Sequence, residues 1–159
     1  MIRVQQEDFD LGAEIAALTR DKTAIGGVAS FVGMVRDMAP VSGVDSPINA
    51  MTLEHYPGMT EKKLAEIEAE ANKRWPLEAS LIIHRYGRLE PGDQIVLVAC
   101  ASAHRQAAFD ACQFLMDWLK TDAPFWKLED TDTGEVWVAA RESDDEAAAR
   151  WNRKPKAAE

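Results

Sequence analysis

The chain has 159 residues, of which 47% are hydrophobic and 28% are charged, and these values are typical of one soluble globular domain. Its formal net charge of −9 argues against nonspecific binding to nucleic acid, because such binding requires Lys and Arg to displace counterions from phosphates. No apolar segment approaches the ~20 residues that span a bilayer, the N-terminus lacks a secretory signal pattern, and two cysteines are too few for a disulfide framework. We therefore predict a cytoplasmic protein without membrane contact.

The first half of the chain combines short strands with helices. The predicted elements are a strand over 1–5, a helix over 11–20 capped by Asp10, strands over 24–35 and 49–55, and a helix over 61–75 capped by Thr60. Pro76 ends the last of these helices. Turn-forming residues fill positions 37–47, for which the sequence predicts a mobile loop.

The second half of the chain predicts two pairs of strands around one long helix. Apolar segments over 80–86 and 94–101 flank a turn and form a buried hairpin, a helix over 103–121 is capped by Ser102, and strands over 125–130 and 135–139 flank another turn. The predicted class is α+β, a mostly antiparallel sheet with two long helices packed on it. We predict a single domain over 1–150 and a flexible tail over 151–159.

Positive charges are scarce in two segments of the chain. Arg36 is the only basic side chain between Lys22 and Lys62. The only ones between Leu89 and Ala140 are Arg105, Lys120 and Lys127. Scarce cations on an acidic background are candidates for an anion site, although they can equally be solvated partners of surface ion pairs.

Two short segments place cations where they could bind an anion or a charged heterocycle. Ser102-Ala103-His104-Arg105 joins a strand to the start of a helix, where free N–H groups and the helix dipole favour an anion. The alternative is an ordinary capped helix with two exposed residues. In the second segment, Lys120 and Lys127 flank Phe125 and Trp126, an arrangement suited to a flat anionic heterocycle. The alternative there is that the two aromatic residues belong to the core.

The remaining conspicuous groups favour structural roles. Cys100 and Cys112 lack a second CxxC pair or metal-ligand spacing and are predicted to be free core thiols. His55 and His84 lie in strands without matching ligands. We therefore predict neither a metal site nor a cofactor.

Several segments resemble the large subunit family of molybdopterin synthase. They are FVGMVR (31–36), LEHYPGMTEK (53–62), RWPL (74–77), IHRYGRLEPGD (83–93), SAHR (102–105), MDWLKTDAPFWK (116–127) and ARESD (140–144). They occur in the order found in the family and extend over nearly the whole predicted domain.

The resemblance implies an α/β-hammerhead-like fold and a sulfurtransferase activity. Sulfur would pass from the C-terminal thiocarboxylate of a small ubiquitin-like subunit to cyclic pyranopterin monophosphate, forming the dithiolene of molybdopterin. The resemblance also implies a homodimer within a heterotetramer. A rival hypothesis is a non-catalytic module that docks a ubiquitin-like sulfur carrier, but such a module would need no phosphate pocket.

The resemblance also assigns roles to residues. Lys120 and Lys127 match lysines regarded as catalytic, and both also match substrate-binding positions. The other positions that the resemblance places in the substrate site are Arg36, His104, Arg105, Leu128, Glu129 and Arg141. Leu128 stands where relatives often carry a basic residue, so any substrate contact there would use its backbone.

The length of the predicted helix over 103–121 separates these cations within one chain. Arg105 and Lys120 are fifteen residues apart, which corresponds to roughly 22 Å along a helix at ~1.5 Å per residue. Their side chains cannot converge on one small phosphate from opposite helix ends. We therefore predict a two-fold dimer in which His104 and Arg105 of one protomer complete the pocket that holds Arg36, Lys120 and Lys127 of the other.

Overall fold

The computed structural model describes residues 1–41, 44–132, 134–138 and 142–152, which form two β-sheets and four α-helices. The strands are β1 (Ile2–Gln5), β2 (Gly27–Met34), β3 (Met38–Val41), β4 (Val44–His55), β5 (Leu77–Arg85), β6 (Gly87–Leu89), β7 (Gln94–Ser102), β8 (Phe125–Thr131) and β9 (Gly134–Val138). The helices are α1 (Leu11–Thr19), α2 (Met59–Arg74), α3 (Arg105–Thr121) and α4 (Glu142–Ala149), followed by a 3-10 turn over Arg150–Asn152. None of the described helices combines the length and the apolar character needed to cross a membrane.

The first sheet has the strand order β1-β5-β7-β2 and carries most of the core. Its only parallel pair is β1 with β5, and β7 pairs antiparallel with both neighbours. Helices α2 and α3 bury their apolar stripes on one face of this sheet, where Leu64 and Leu115 are fully buried. The apolar residues of α1 cover part of the opposite face. The predicted α+β class and the buried pairing of 80–86 with 94–101 are confirmed.

The second sheet has the order β3-β4-β8-β9, and β6 pairs with β4 beside it. Val35, which follows β2, packs with Met51, Leu53 and Leu89 of this sheet and so connects it to the first one. The class prediction anticipated one sheet. Two form because β4 pairs with β6 and β8 rather than with the strands of the first sheet.

The predicted mobile loop over 37–47 is wrong for the described residues. Met38–Val41 pairs antiparallel with the beginning of β4, with Met38 opposite Pro47 and Val41 opposite Val44. The reason is that β8 holds β4 extended from Ile48 to His55, so the preceding residues continue the same strand and offer β3 a ladder. Positions 42 and 43, at the tip, lie outside the described residues.

The beginning of α2 differs from the prediction. The helix begins at Met59 and its N-cap is Gly58, whose N–H donates to the Glu61 carboxylate at 2.7 Å. Thr60 is fully buried instead, and its hydroxyl donates to the carbonyl of Pro124 at 3.2 Å. The predicted Thr60 cap is therefore wrong, because the hydroxyl is used to hold the connection between α3 and β8.

The C-terminal part of the described chain returns to the core. The ring of Trp151 makes edge contacts with Trp75 and Phe114, at centroid distances of 5.7 and 5.6 Å. Its indole N–H donates to Asp117 at 2.7 Å. Trp151 falls in the predicted tail over 151–159, but the structure packs it against α3. Residues 153–159 lie outside the described residues.

Candidate functional site

Arg36 stands exposed where β2 ends. An open depression of about 430 Å³ surrounds it, lined by Val35, Arg36, Asp37, Pro91 and Gly92. Two backbone hydrogen bonds of 2.9 Å hold Val35 against the turn that contains Pro91 and Gly92. The N–H of Val35 donates to the carbonyl of Asp93, and the N–H of Gly92 donates to the carbonyl of Val35. With the backbone held on both sides, the guanidinium of Arg36 remains available to an anion in the depression.

His104 and Arg105 begin α3, and no side chain caps this helix start among the described residues. His104 is the N-cap, Arg105 is the first helical residue, and the first turn contains no acidic residue. The predicted Ser102 cap is wrong, because the N-cap is His104. Ser102 is a buried residue of β7, its hydroxyl donates to the carbonyl of Pro76 at 2.8 Å, and its oxygen accepts, at 3.5 Å, only from the N–H of the N-cap residue itself. Both basic side chains are exposed at the positive end of the helix dipole, an arrangement that favours a bound anion.

A glycine allows β2 to begin beside this helix start. A Cβ on Gly26 would lie 2.1 Å from the carbonyl oxygen of Ala103, a distance that no side chain can occupy. The N–H of Gly26 also donates to the carbonyl of Ser102 at 3.0 Å. The first residues of β2 therefore lie directly against the segment that leads into His104 and Arg105.

Lys120 occupies the last turn of α3 and is exposed. Its Nζ lies 3.9 Å from Oδ1 of Asp144, a partly buried carboxylate of α4. Asp144 belongs to the ARESD segment (140–144), and no role for it follows from the sequence. Its position follows from the packing of α4 on α3, which sequence periodicity does not reveal.

The residues of β8 alternate between two surfaces of the second sheet. Lys127 and Glu129 lie opposite Leu53 and Met51 of β4, two buried residues, and Glu129 is itself buried. One carboxylate oxygen of Glu129, Oε2, has no hydrogen-bond partner among the described residues. On the other surface Leu128 lies opposite Trp137 of β9. The alternation places Lys127 and Glu129 together and directs the side chain of Leu128 away from them.

Phe125 and Trp126 do not form one aromatic wall. Phe125 is packed inward with its ring stacked on His84, at a centroid distance of 3.7 Å and an interplanar angle of 15°. Trp126 is the next residue of the strand, points to the opposite surface and is exposed. The alternative stated above, that the aromatic residues belong to the core, therefore holds for Phe125 alone.

His84 is a buried imidazole at the junction of the two sheets. Its Nδ1 lies 2.9 Å from the backbone carbonyl of Arg85, so the neutral ring carries its proton on this nitrogen. Burial lowers the pKa of His84 to about 4, and the nearby positive charge of Lys127 acts in the same direction. The ring is therefore neutral at physiological pH. Phe125 therefore stacks on an uncharged ring, and this pair of rings lies near Lys127.

The structure brings some of the proposed site residues together and leaves others apart. Arg36 follows Val35, which packs on Leu53, and Leu53 lies opposite Lys127. His104 and Arg105 stand at the beginning of the seventeen-residue helix α3, whereas Lys120 stands at its end. The roughly 22 Å between the helix ends is thus retained in the folded protomer. Arg141 lies outside the described residues.

Neither cysteine is placed to carry sulfur. Cys100 and Cys112 are buried free thiols in the core between α3 and the first sheet. Burial raises the pKa of both thiols, that of Cys112 to about 11, so neither forms the reactive thiolate at neutral pH. The described residues contain no group of three or more His, Cys, Asp or Glu side chains that could hold a metal ion.

Comparison with known proteins places these features in a family. Residues 4–122 match the family described as MoaE protein. The molybdopterin synthase catalytic subunit of Ralstonia nicotianae is 60% identical over 150 residues, which cover 94% of this chain and 83% of that protein.

Solved structures agree with this comparison. The molybdopterin biosynthesis MoaE protein of Burkholderia ambifaria has a TM-score of 0.81 at 55% identity, covering 97% of this chain and 99% of that one. A complex of subunits 1 and 2 of molybdopterin-converting factor from Helicobacter pylori contains a chain with a TM-score of 0.69, covering 88% of this chain and 91% of that one. At 18% identity, this last likeness concerns the fold alone.

Proposed function

This chain belongs to the MoaE protein family, and on that premise we propose that it is the catalytic half of a molybdopterin synthase, a sulfurtransferase of molybdenum cofactor biosynthesis. Its substrate would be cyclic pyranopterin monophosphate. Its sulfur donor would be the C-terminal thiocarboxylate of a small ubiquitin-like subunit, and the product would be the dithiolene of molybdopterin. The cytoplasm is the proposed compartment, and two buried thiols that remain unpaired are consistent with it.

The observation that carries this proposal is the placement of the scarce cations of an acidic chain. Arg36, Arg105 and Lys120 are all exposed, each at an end of a strand or helix that the core holds in place. Residues that merely solubilise a surface need no such support. Positions anchored in this way preorganise the groups that meet a charged substrate, which is what transfer to a phosphorylated pterin requires.

We assign the roles by charge and position. Arg36, His104 and Arg105 would hold the substrate phosphate through charge-assisted hydrogen bonds. Lys120 would meet the incoming thiocarboxylate, because a cation favours that anion and stabilises charge that develops on the attacked carbonyl. Lys127 would act as a general acid or base during thiolation and opening of the cyclic phosphate.

The segment after Lys127 would complete the substrate site. Glu129 lies on the same side of β8 as Lys127, whereas Leu128 can contribute only through its backbone. Arg141 is proposed as a further arginine near the substrate. Because α3 separates Arg105 from Lys120, one site would combine His104 and Arg105 of one protomer with Arg36, Lys120 and Lys127 of its partner.

Reconstitution of the reaction tests the proposed function. The purified chain is mixed with thiocarboxylated small subunit and cyclic pyranopterin monophosphate, and formation of the dithiolene is followed. We expect product only when the small subunit carries the thiocarboxylate, and the same subunit with an ordinary carboxylate serves as the matched control. A chain that binds the small subunit tightly but forms no product would instead be the docking module considered above.

A further inference from the structure

The end of α3 is joined to α4 by the ion pair between Lys120 and Asp144. The side chain of Lys120 is 56% exposed, whereas that of Asp144 is only 23% exposed. A lysine carries its charge on a long flexible stem, so its ammonium keeps one position only when another group holds it there. Among the described residues, Asp144 is the one carboxylate within ion-pair distance of Lys120. The position of this ammonium therefore depends on Asp144.

Asp144 is itself held in place by the packing of α4 on α3. Ala148 lies one helical turn after Asp144 on the same face of α4, and it is buried. Just beyond α4, Nε of Arg150 donates to the carboxylate of Asp117 on α3 at 3.1 Å, and the indole N–H of Trp151 donates to the same carboxylate. The side chain of Asp144 therefore extends from a backbone that is anchored on α3.

The charges on the two helices fix where α4 lies along α3. Asp117 and Lys120 are three residues apart and share one face of α3. Asp117 pairs with Arg150 and Lys120 pairs with Asp144, so α4 and the turn after it run back along α3. The acid belongs to α3 in the first pair and to α4 in the second. A shift that brought Asp144 to Asp117 would place two carboxylates together, and this repulsion favours the observed position.

The distance in this ion pair leaves Lys120 able to bind a second anion. A hydrogen bond from an ammonium to a carboxylate is about 2.8 Å long, whereas Nζ of Lys120 lies 3.9 Å from Asp144. Asp144 therefore attracts the ammonium without occupying its donors fully, and a lysine has three N–H donors to direct elsewhere. Lys120 can keep its contact with Asp144 while it donates to an incoming carbonyl or thiocarboxylate.

We propose that Asp144 is a positioning residue for sulfur transfer, which holds the ammonium of Lys120 where it stabilises the charge that develops on the attacked carbonyl. This role rests on the proposed function, whereas the contact between the two side chains does not. The charge on the carbonyl develops only during the attack, so the effect of Asp144 is on the reaction and not on docking of the small subunit. Loss of the carboxylate should therefore lower kcat and leave KM for the small subunit nearly unchanged.

Steady-state kinetics of Asp144→Asn test this role. A misplacement of ~1 Å can cost ~100-fold in rate. A loosened lysine still visits its former position, so we expect kcat to fall about 10-fold, with KM for the thiocarboxylated small subunit within about twofold of wild type. Asp144→Glu restores the carboxylate and should recover most of the rate. Asp145→Asn is the matched control, because Asp145 is the next residue of α4, is exposed and carries the same charge near the helix start. Its kcat should stay within about twofold of wild type.

A double variant shows whether Asp144 acts through Lys120. In the Lys120→Ala chain, the further change Asp144→Asn should alter the residual turnover by less than about twofold, because the group to be held is missing. An equal loss in both backgrounds would make Asp144 a structural residue and overturn the proposal. Normal turnover of Asp144→Asn, or an equal loss in Asp145→Asn, would overturn it as well. If Asp144→Asn changes the circular dichroism spectrum, Asp144→Ala, which favours a helix, takes its place.

Cross-linking tests the contact without the reaction. A carbodiimide joins a carboxylate to an adjacent amine with loss of one water, and mass spectrometry identifies the joined peptides. We expect a link between Lys120 and Asp144, and the pair Lys63–Asp122, at 2.7 Å, is the positive control. A link at the control pair alone, or from Lys120 to Asp145 in place of Asp144, would contradict the contact. A chain that forms the expected link but never the dithiolene would keep the contact and refute the proposed function.

Discussion

The two sheets of the molecule divide their side chains between core and solvent in different ways. In β7 of the first sheet, every residue from Val96 to Ser102 is buried, so the strand serves as a frame for α2 and α3. In β8 of the second sheet only Glu129 and Thr131 are buried, and the other five residues, Lys127 among them, are half-buried or exposed. The proposed catalytic residue Lys127 thus lies on a strand that is only partly covered, whereas a wholly buried strand leaves no room for a substrate.

The largest expected effect is on sulfur transfer, and it comes from replacing Lys127 in the second sheet or Lys120 at the end of α3. We expect Lys127→Ala and Lys120→Ala each to reduce sulfur transfer at least about 100-fold, as loss of a general acid or base or of charge stabilisation does. Unfolding monitored by circular dichroism should change little, because neither residue belongs to the buried stripes. Lys73→Ala, at an exposed lysine of α2, is the control. Normal turnover in either lysine variant would remove its assigned role.

A smaller, quantitative effect tests whether the two groups of cations belong to one site. Lys120→Ala and Arg105→Ala are each inactive by expectation, and the two chains are refolded together. A mixed dimer then has one site with both lesions and one wild-type site. Because random assortment makes half of the dimers mixed, activity should return to about a quarter of the wild-type level for a two-fold assembly. Persistent inactivity despite demonstrated subunit exchange would confine the site to one chain.

His84, at the junction of the sheets, predicts a pH dependence of stability. Its pKa is about 4 in the folded chain against 6.5 for the ordinary side chain, so the unfolded chain binds the proton more readily between these values. Stability is therefore complete above pH 6.5 and lost as pH falls toward 4, by roughly 3 kcal/mol in total.

Replacement of the imidazole tests this dependence. His84→Phe keeps an aromatic ring for the contact with Phe125 but cannot bind a proton. The free energy of unfolding, measured with urea between pH 7 and pH 4, should decline less steeply in the variant than in the wild type. Parallel declines would mean that His84 does not titrate in this range.

The cysteines of the first sheet and α3 should have no effect on turnover. Iodoacetamide should leave Cys100 and Cys112 unmodified in the folded protein and alkylate both after denaturation, because burial keeps each thiol protonated. The double variant with alanine at both positions should transfer sulfur within about twofold of the wild-type rate, provided that it folds. Inactivity of a folded variant would give one thiol a part in the reaction.

Removal of metal ions by a chelator is expected to leave the rate of sulfur transfer unchanged. The sequence lacks clustered metal ligands, and the reaction assigned here uses only cations of the protein itself. Sulfur transfer should therefore survive exhaustive treatment with EDTA followed by gel filtration. Loss of activity that zinc or magnesium specifically restores would overturn this prediction.

The predictions that the structure contradicts concern residues whose partners are distant in the chain. Ser102 and Thr60 both have the chemistry of helix caps, yet their hydroxyls bind the carbonyls of Pro76 and Pro124. A cap is a local interaction, and a buried strand or helix position can offer the same hydroxyl a distant acceptor. The predicted loop over 37–47 failed for a related reason, since pairing with β4 outweighs turn-forming composition.

The sequence alone determined the periodic elements, the class of the fold and the identity of the scarce cations, because helical spacing, apolar runs and charge are local properties. It also determined that α3 keeps Arg105 and Lys120 apart, since the length of a helix follows from its residue count. Only the tertiary structure decided that Phe125 turns inward onto His84, that Asp144 reaches Lys120, and that β2 is left at an edge. These depend on which elements pack together, and that choice is made by contacts between residues far apart in the chain.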